Sequence, residues 1–169
     1  VQLGSVEDEP GMTLYGQLIG LTSEGSIAIS SADPAANPVI EPNWLTTPED
    51  VRTGIAAIRY MRAILKQSAI ARYVGEELLP GAEYATDAQI EEALRMFGRC
   101  GTHAVGTCAM GGSPDAVLDP QLRVRGVQGL RVVDCSAMPS LISGNTNGPA
   151  MALGWHAAEV IRQTPISAR

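Results

Sequence analysis

From His103 to Pro149 the chain sets histidine, aspartate and asparagine among closely spaced glycines and prolines, and this stretch limits the fold more than any other. It begins His103-Ala104-Val105-Gly106-Thr107-Cys108-Ala109-Met110-Gly111. It continues through Leu118-Asp119-Pro120-Gln121-Leu122-Arg123-Val124 and Gly129-Leu130-Arg131-Val132-Val133-Asp134. It closes with Met138-Pro139 and Ser143-Gly144-Asn145-Thr146-Asn147-Gly148-Pro149. Glycine weakens helices and strands and proline removes a donor, so long regular elements are excluded over most of it. Gly98 to Asp119 is predicted to be loop with short extended pieces. Leu122-Arg123-Val124 and Leu130 to Val133 are predicted strands, the second apolar enough for a buried parallel sheet. A generic scaffold has no need of this order of polar residues.

The rest of the chain carries clearer signals. Residues 1–11 are polar and acidic and read as an irregular lead-in. Met12 to Leu21 is mostly apolar and reads as a strand, Ser23-Glu24-Gly25 as a turn, and Ser26 to Ser30 as the returning strand. Ser31 to Trp44 reads as loop. Thr47-Pro48-Glu49-Asp50 starts a helix: a capping threonine, proline at the first helical position and acids in the first turn. Val51, Ile55, Ile58, Met61, Ile64 and Leu65 follow on one face, predicting helix from Pro48 to about Gln67. A short helical piece is predicted over Ser68 to Val74, then loop from Glu76 to Tyr84. Thr86-Asp87-Ala88-Gln89 has the form of a capping box and opens a helix to about Phe97. A last helix, capped by Asn147 with Pro149 in its first turn, should reach about Arg162.

Composition narrows the class. A chain of 169 residues with 45% hydrophobic content can bury a core, as one domain or pieces of two. A net charge of −6 argues against nucleic acid or an anionic membrane as partner. No apolar run is long enough to span a bilayer, and Val1-Gln2-Leu3-Gly4 has no basic signal-peptide region. The compartment is left open with the cytoplasm favoured, and a first residue other than Met suggests trimming or a start inside a longer product. Cys100, Cys108 and Cys135 are odd in number and match no zinc spacing, so they are read as reduced thiols, and no metal ligands are expected.

Several residues carry candidate chemistry. His103 lies in a stretch whose bends can aim a side chain into a cavity, and an imidazole can accept or return a proton near neutrality. Asn147 has two competing roles, helix cap or carboxamide donor to a ligand; in the second case Asn145 or backbone groups would cap instead. Asp134 follows a predicted buried strand, where an acid is either a ligand residue or a turn carboxylate. His156 lies roughly two and a half turns beyond Asn147 and is read as structural. Asp115 and Asp119 are read as turn residues, and Arg123, Arg125 and Arg131 as solvated or paired.

The run from His103 to Pro149 closely resembles the C-terminal signature of the glucose–methanol–choline (GMC) oxidoreductases, FAD-dependent alcohol oxidases and dehydrogenases. His103 to Gly111 is similar to the family's His-Pro-x-Gly-Thr-x-x-Met-Gly block, with Ala104 in place of the common proline. Gly25 to Ile29, Ser31 to Pro34 and Pro38 to Leu45 extend the resemblance, so it covers about Leu14 to about Gln163. It departs at Ala104, at Cys135 (more often Ala or Gly) and at Thr102, where an aromatic is frequent. The resemblance implies that His103 lies by the reactive edge of the flavin and acts on the substrate hydroxyl. It implies that Asn147 fills the second active-site position. It also implies that Asp134, the backbone of Cys135 and the backbone of Thr146, Asn147, Gly148 and Pro149 contact FAD. The last helix would then direct its positive end at the flavin N1–C2=O edge and favour hydride transfer into the ring.

The fold class implied is α/β, α+β overall. Residues 1–100 would form part of a substrate-binding domain, an antiparallel sheet with helices on one face. Residues 101–117 would form the active-site loop, and residues 118–169 the C-terminal part of a parallel FAD-binding domain. No Gly-x-Gly-x-x-Gly turn follows a strand here, and a dinucleotide needs one for its pyrophosphate. The expected partners are therefore an N-terminal FAD-binding polypeptide of the same enzyme and a small-molecule alcohol. The expected reaction is oxidation of a CH–OH group by hydride transfer to flavin N5, with His103 as acid–base. Two alternatives stand beside it: a hydroxynitrile lyase on the same scaffold, and a non-catalytic partner chain.

Overall fold

The computed structural model of the chain describes residues 10–163. Most of the lead-in read over residues 1–11 lies outside the described residues. The two main helices of the first half start where their caps dictate. Thr47 is extended and its hydroxyl accepts the Asp50 amide at 3.3 Å, so α1 runs Pro48–Leu65, two residues short of the predicted end. α2 is a single turn, Ser68–Ala71, shorter than the predicted piece. Thr86 opens α3, Asp87–Phe97, with a complete capping box: its hydroxyl accepts the Gln89 amide, and Gln89 Oε1 accepts the Thr86 amide at 3.0 Å.

α1 packs on α3. Gly54 is buried at the crossing, and a Cβ there would lie 2.8 Å from Leu94 Cδ1. Its lack of a side chain lets the helices approach, while Ile90 and Ala93 fill the contact from α3. Loop 77–84 is tied to α1 by Arg62. Its Nε and Nη2 donate to the Glu77 carboxylate, Nη1 to the Tyr84 carbonyl at 2.7 Å and Nη2 to the Gly81 carbonyl at 3.0 Å.

The strand pairing differs from the prediction. Residues 12–21 form no strand. Gly20 turns the backbone at φ 73, Leu18 lies beside Gly54 and Leu94, and Gly16 lies against Met61. This segment packs on the helices instead of pairing. β1, Ser26–Ala28, pairs antiparallel with β2, Val39–Glu41, which falls inside the stretch read as loop. The register sets Ile27 opposite Ile40. Gly25 makes this possible, because a Cβ there would collide with the Glu41 carbonyl. Asp33 returns the chain, accepting the Ala35 amide on Oδ1 at 2.9 Å and the Ala36 amide on its carbonyl at 3.1 Å.

Beyond Gly98 the predicted strands shrink to isolated bridges: Met110 with Leu118 in parallel, Leu118 with Val124 and Arg123 with Arg131 antiparallel. Positive φ at Leu122, Gly126 and Gly129 bends the chain between them. The stretch Leu130–Val133, read as a strand of a parallel sheet, therefore makes one antiparallel bridge, and no parallel sheet forms among the described residues. Leu118, Leu122, Ala137 and Ala157 make a small core, with Met110, Val132, Val133 and Leu153 packed around it. α4, Asn147–Gln163, stands on this core through Leu153 and Ala157, four residues apart on one face. The described fold is thus mixed helix with a small antiparallel sheet.

Candidate functional site at the start of the last helix

The site begins with a strained backbone. Thr102, a β-branched residue, is held at φ 60 immediately before His103, and Gly106 follows at φ 91. A non-glycine residue of this kind in the left-handed region is costly and persists only when its surroundings demand it. These bends carry half-buried His103 back to the start of α4. There its Nδ1 lies 2.8 Å from Thr146 Oγ1, a contact spanning 43 residues of sequence. Thr146 is 6% exposed, whereas Asn147, the next residue, is exposed. The ring's other nitrogen, Nε2, has no hydrogen-bond partner among the described residues.

The start of α4 differs from the prediction by one residue. Asn147 is the first helical residue, and Thr146 stands at the cap position, where its carbonyl accepts the Ala150 amide at 2.8 Å. Asn147 is thereby released from capping. The amides of Asn147 and Gly148 have no hydrogen-bond partner among the described residues. A Cβ built on Gly148 would meet no atom within 4 Å, so the helix start faces open space.

Asp134 is also placed close to this unit. It is exposed, and its Oδ1 accepts the Ser136 amide at 2.7 Å and the Ser136 hydroxyl, capping the 3-10 turn Cys135–Ala137. Its observed contacts are those of a turn carboxylate. Cys135 is half-buried, with its carbonyl accepting the Met138 amide at 3.1 Å. The turn is joined to the His103 loop by backbone bonds: Cys108 N–H to Ser136 O at 2.9 Å and Met110 N–H to Ala137 O at 3.0 Å. One small assembly therefore carries His103, the Asp134 turn and, through the shared core, the first turn of α4. A cleft of about 450 Å³ between the first half of α1 and the Asp87, Glu91 and Arg95 face of α3 holds none of these residues.

Thr102 and Thr146 are both named from the sequence, but neither the backbone strain of the first nor the side-chain role of the second is. The strain at Thr102 has no local signature. The Thr146 side chain had one, a threonine three residues before a proline at a helix start, which distinguishes it from Thr47 and Thr86.

A family model described as GMC oxidoreductase matches residues 22–154. The chain belongs to the GMC oxidoreductase family. It is 43% identical over 139 residues to an alcohol dehydrogenase [acceptor] of Pseudomonas putida, covering 82% of this chain and 25% of that protein. It is 41% identical over 146 residues to the mitochondrial choline dehydrogenase of Homo sapiens, covering 85% and 25%. The fold is similar to an FAD-dependent oxidoreductase from Chaetomium thermophilum, with a TM-score of 0.74 and 32% identity over 82% of this chain and 24% of that one. The chain thus spans about a quarter of the length of the relatives it matches.

Proposed function

We propose that this chain forms part of an FAD-dependent enzyme that oxidises the CH–OH group of a small alcohol to a carbonyl. The observation that carries the reading is the His103–Thr146 hydrogen bond, which sets an imidazole beside Asn147 at the open start of α4. His103 accepts the hydroxyl proton on Nε2, the nitrogen without a hydrogen-bond partner among the described residues. The Asn147 carboxamide, free of capping duty, hydrogen-bonds the substrate oxygen and holds the carbinol carbon in place. Membership of the family and relatives named for alcohol and choline support the alcohol class.

The residues present fit one wall of a flavin site. The amides of Asn147 and Gly148, at the start of a 17-residue helix, have no hydrogen-bond partner among the described residues, the helix N-terminus carries partial positive charge, and Gly148 leaves room for close approach. Thr146, Asn147, Gly148 and Pro149 would hold the electron-rich edge of the ring, with Asp134 and the Cys135 backbone nearby. Bound FAD supplies the acceptor for the hydride that leaves carbon as the carbonyl forms. The pyrophosphate is left to an N-terminal FAD-binding polypeptide of the same enzyme, which we propose as the partner. In this reading residues 1–100 belong to the substrate-binding domain, 101–117 to the active-site loop and 118–169 to the FAD-binding domain.

The test is anaerobic stopped-flow reduction of the flavin in the flavin-loaded holoenzyme by a series of primary alcohols, choline included. The expected result is bleaching by at least one alcohol, slowed by roughly 10²–10⁴-fold in His103→Ala, the range for a positioned acid–base group. An unchanged rate in His103→Ala would remove the histidine from the chemistry. Substrate cleavage without bleaching would replace oxidation by a lyase reaction.

A further inference from the structure

We infer that Thr146 is a positioning residue for His103, and that Pro149 spares its hydroxyl from being shared with a capping amide. The inference rests on the reading of His103 as the acid–base group. Among the described residues three helices begin after a threonine, and the other two show what such a residue ordinarily does. The hydroxyls of Thr47 and Thr86 accept the backbone N–H of the residue three ahead, Asp50 and Gln89, at 3.3 Å in each case. That is the usual capping bond; the Thr47 hydroxyl is shared besides with that of Thr22, at 2.6 Å. The residue three ahead of Thr146 is Pro149, which has no N–H. The hydroxyl therefore has no local donor at that position, and it bonds the His103 imidazole at 2.8 Å instead. Its own carbonyl still accepts the first helical bond, from Ala150. One residue thus starts the helix and holds the ring.

A hydroxyl suits this task because it is both donor and acceptor. For Nε2 to take a proton from the substrate, its lone pair must be free, so Nδ1 carries the ring proton and donates to Thr146 Oγ1. When Nε2 becomes protonated the Nδ1–H bond persists unchanged. The ring passes through both protonation states without turning over, and no second charge is placed beside it. Asn147 is the next residue, so the bond anchors the ring at the residue that precedes the carboxamide.

The test uses the flavin-loaded holoenzyme and three substitutions. Thr146→Val removes the hydroxyl and keeps the volume. Thr146→Ser keeps the hydroxyl. Pro149→Ala returns an N–H to the position that Asp50 and Gln89 occupy in the other helices, and it competes for the Thr146 hydroxyl without altering it. Flavin reduction is expected to slow about 10–100-fold in Thr146→Val, as for loss of orientation at a reacting group, with the apparent alcohol affinity changing far less. Thr146→Ser should recover most of that loss. Pro149→Ala should slow reduction in the same way, and adding it to Thr146→Val should cost nothing more. The readout independent of turnover is the ¹⁵N spectrum of the His103 imidazole, Nδ1-protonated in the native protein and shifted toward the Nε2-protonated tautomer in Thr146→Val and Pro149→Ala. Native reduction rates in both Thr146→Val and Pro149→Ala, or an unmoved tautomer, would overturn the positioning role, as would equal losses in the valine and serine variants. His103→Ala separates the two ideas. If it reduces at the native rate, the acid–base reading has failed; if it is slow while Thr146→Val is not, only the positioning has failed.

Discussion

Asp50 supports the sharpest stability prediction. In the sequence it is one of two acids in the first turn of a helix, a modest electrostatic contribution. In the structure it is 2% exposed and clamps a second segment. Its Oδ1 accepts the Thr22 amide at 2.9 Å and the Thr22 hydroxyl at 3.0 Å, and its Oδ2 accepts the Ser23 amide at 2.8 Å. Hydrogen bonds to a charged acceptor contribute about 1.5–3 kcal/mol each, but these share one carboxylate and do not add. Thr22 is exposed and Ser23 half-buried, so water reaches part of what is freed. Asp50→Ala should therefore loosen the 22–23 segment by about 2–4 kcal/mol, and amide exchange there should accelerate roughly 30-fold or more at pH 7. Thr47 still caps through the backbone amide of residue 50, so α1 itself should keep its protection. Burial raises the carboxyl pKa, but hydrogen bonds from Ser23 and Thr22 outweigh it and hold it at about 2, below the ordinary 3.8. A depressed folded-state value means the stabilisation is complete above about 3.8 and is lost as pH falls through about 2. Asn at this position does not titrate, so the stability gap between native protein and Asp50→Asn should narrow as pH falls through that window. Unchanged exchange over residues 22–23 in Asp50→Ala, or a gap that stays constant into acid, would refute the reasoning.

Two further predictions follow from packing and ion pairing. Gly25→Ala should cost about 1–3 kcal/mol because the new methyl meets the fixed Glu41 carbonyl, whereas Gly54→Ala should cost less because it meets the movable tip of Leu94; thermal unfolding midpoints of the two variants decide the order. Arg62→Lys cannot span Glu77 and the carbonyls of Gly81 and Tyr84 together. Loop 77–84 should then be cut faster in limited proteolysis, with α1 left intact.

The GMC family was legible in the run from His103 to Pro149 and in the earlier blocks around Gly25 and Pro38. The helices were legible for a different reason. A cap is a bond between residues three apart, so Thr47 and Thr86 announce α1 and α3 without any knowledge of the rest of the chain. The strands were not legible in the same way. Ser26 to Ser30 reads as a strand, and the pattern points to the apolar segment before it as the partner. The partner is Val39–Glu41, admitted by Gly25, while Leu18 in the rejected segment packs against the helices. The stretch from Leu130 to Val133 had the composition of a buried parallel strand, yet its backbone partner among the described residues is one antiparallel bridge.

Sequence alone determined where α1 and α3 begin and which family the chain resembles, because these depend on neighbours or on an ordered motif. It named His103 and Asn147 but left Asn147 between helix cap and ligand donor. Tertiary structure decided whose side chain holds whose. Asp50 holds a segment 28 residues before it, and Thr146 holds a histidine 43 residues before it. Both are helix-start residues by sequence. What separates them from ordinary caps is the group that the folded chain brings within reach and, for Thr146, the N–H that proline withholds.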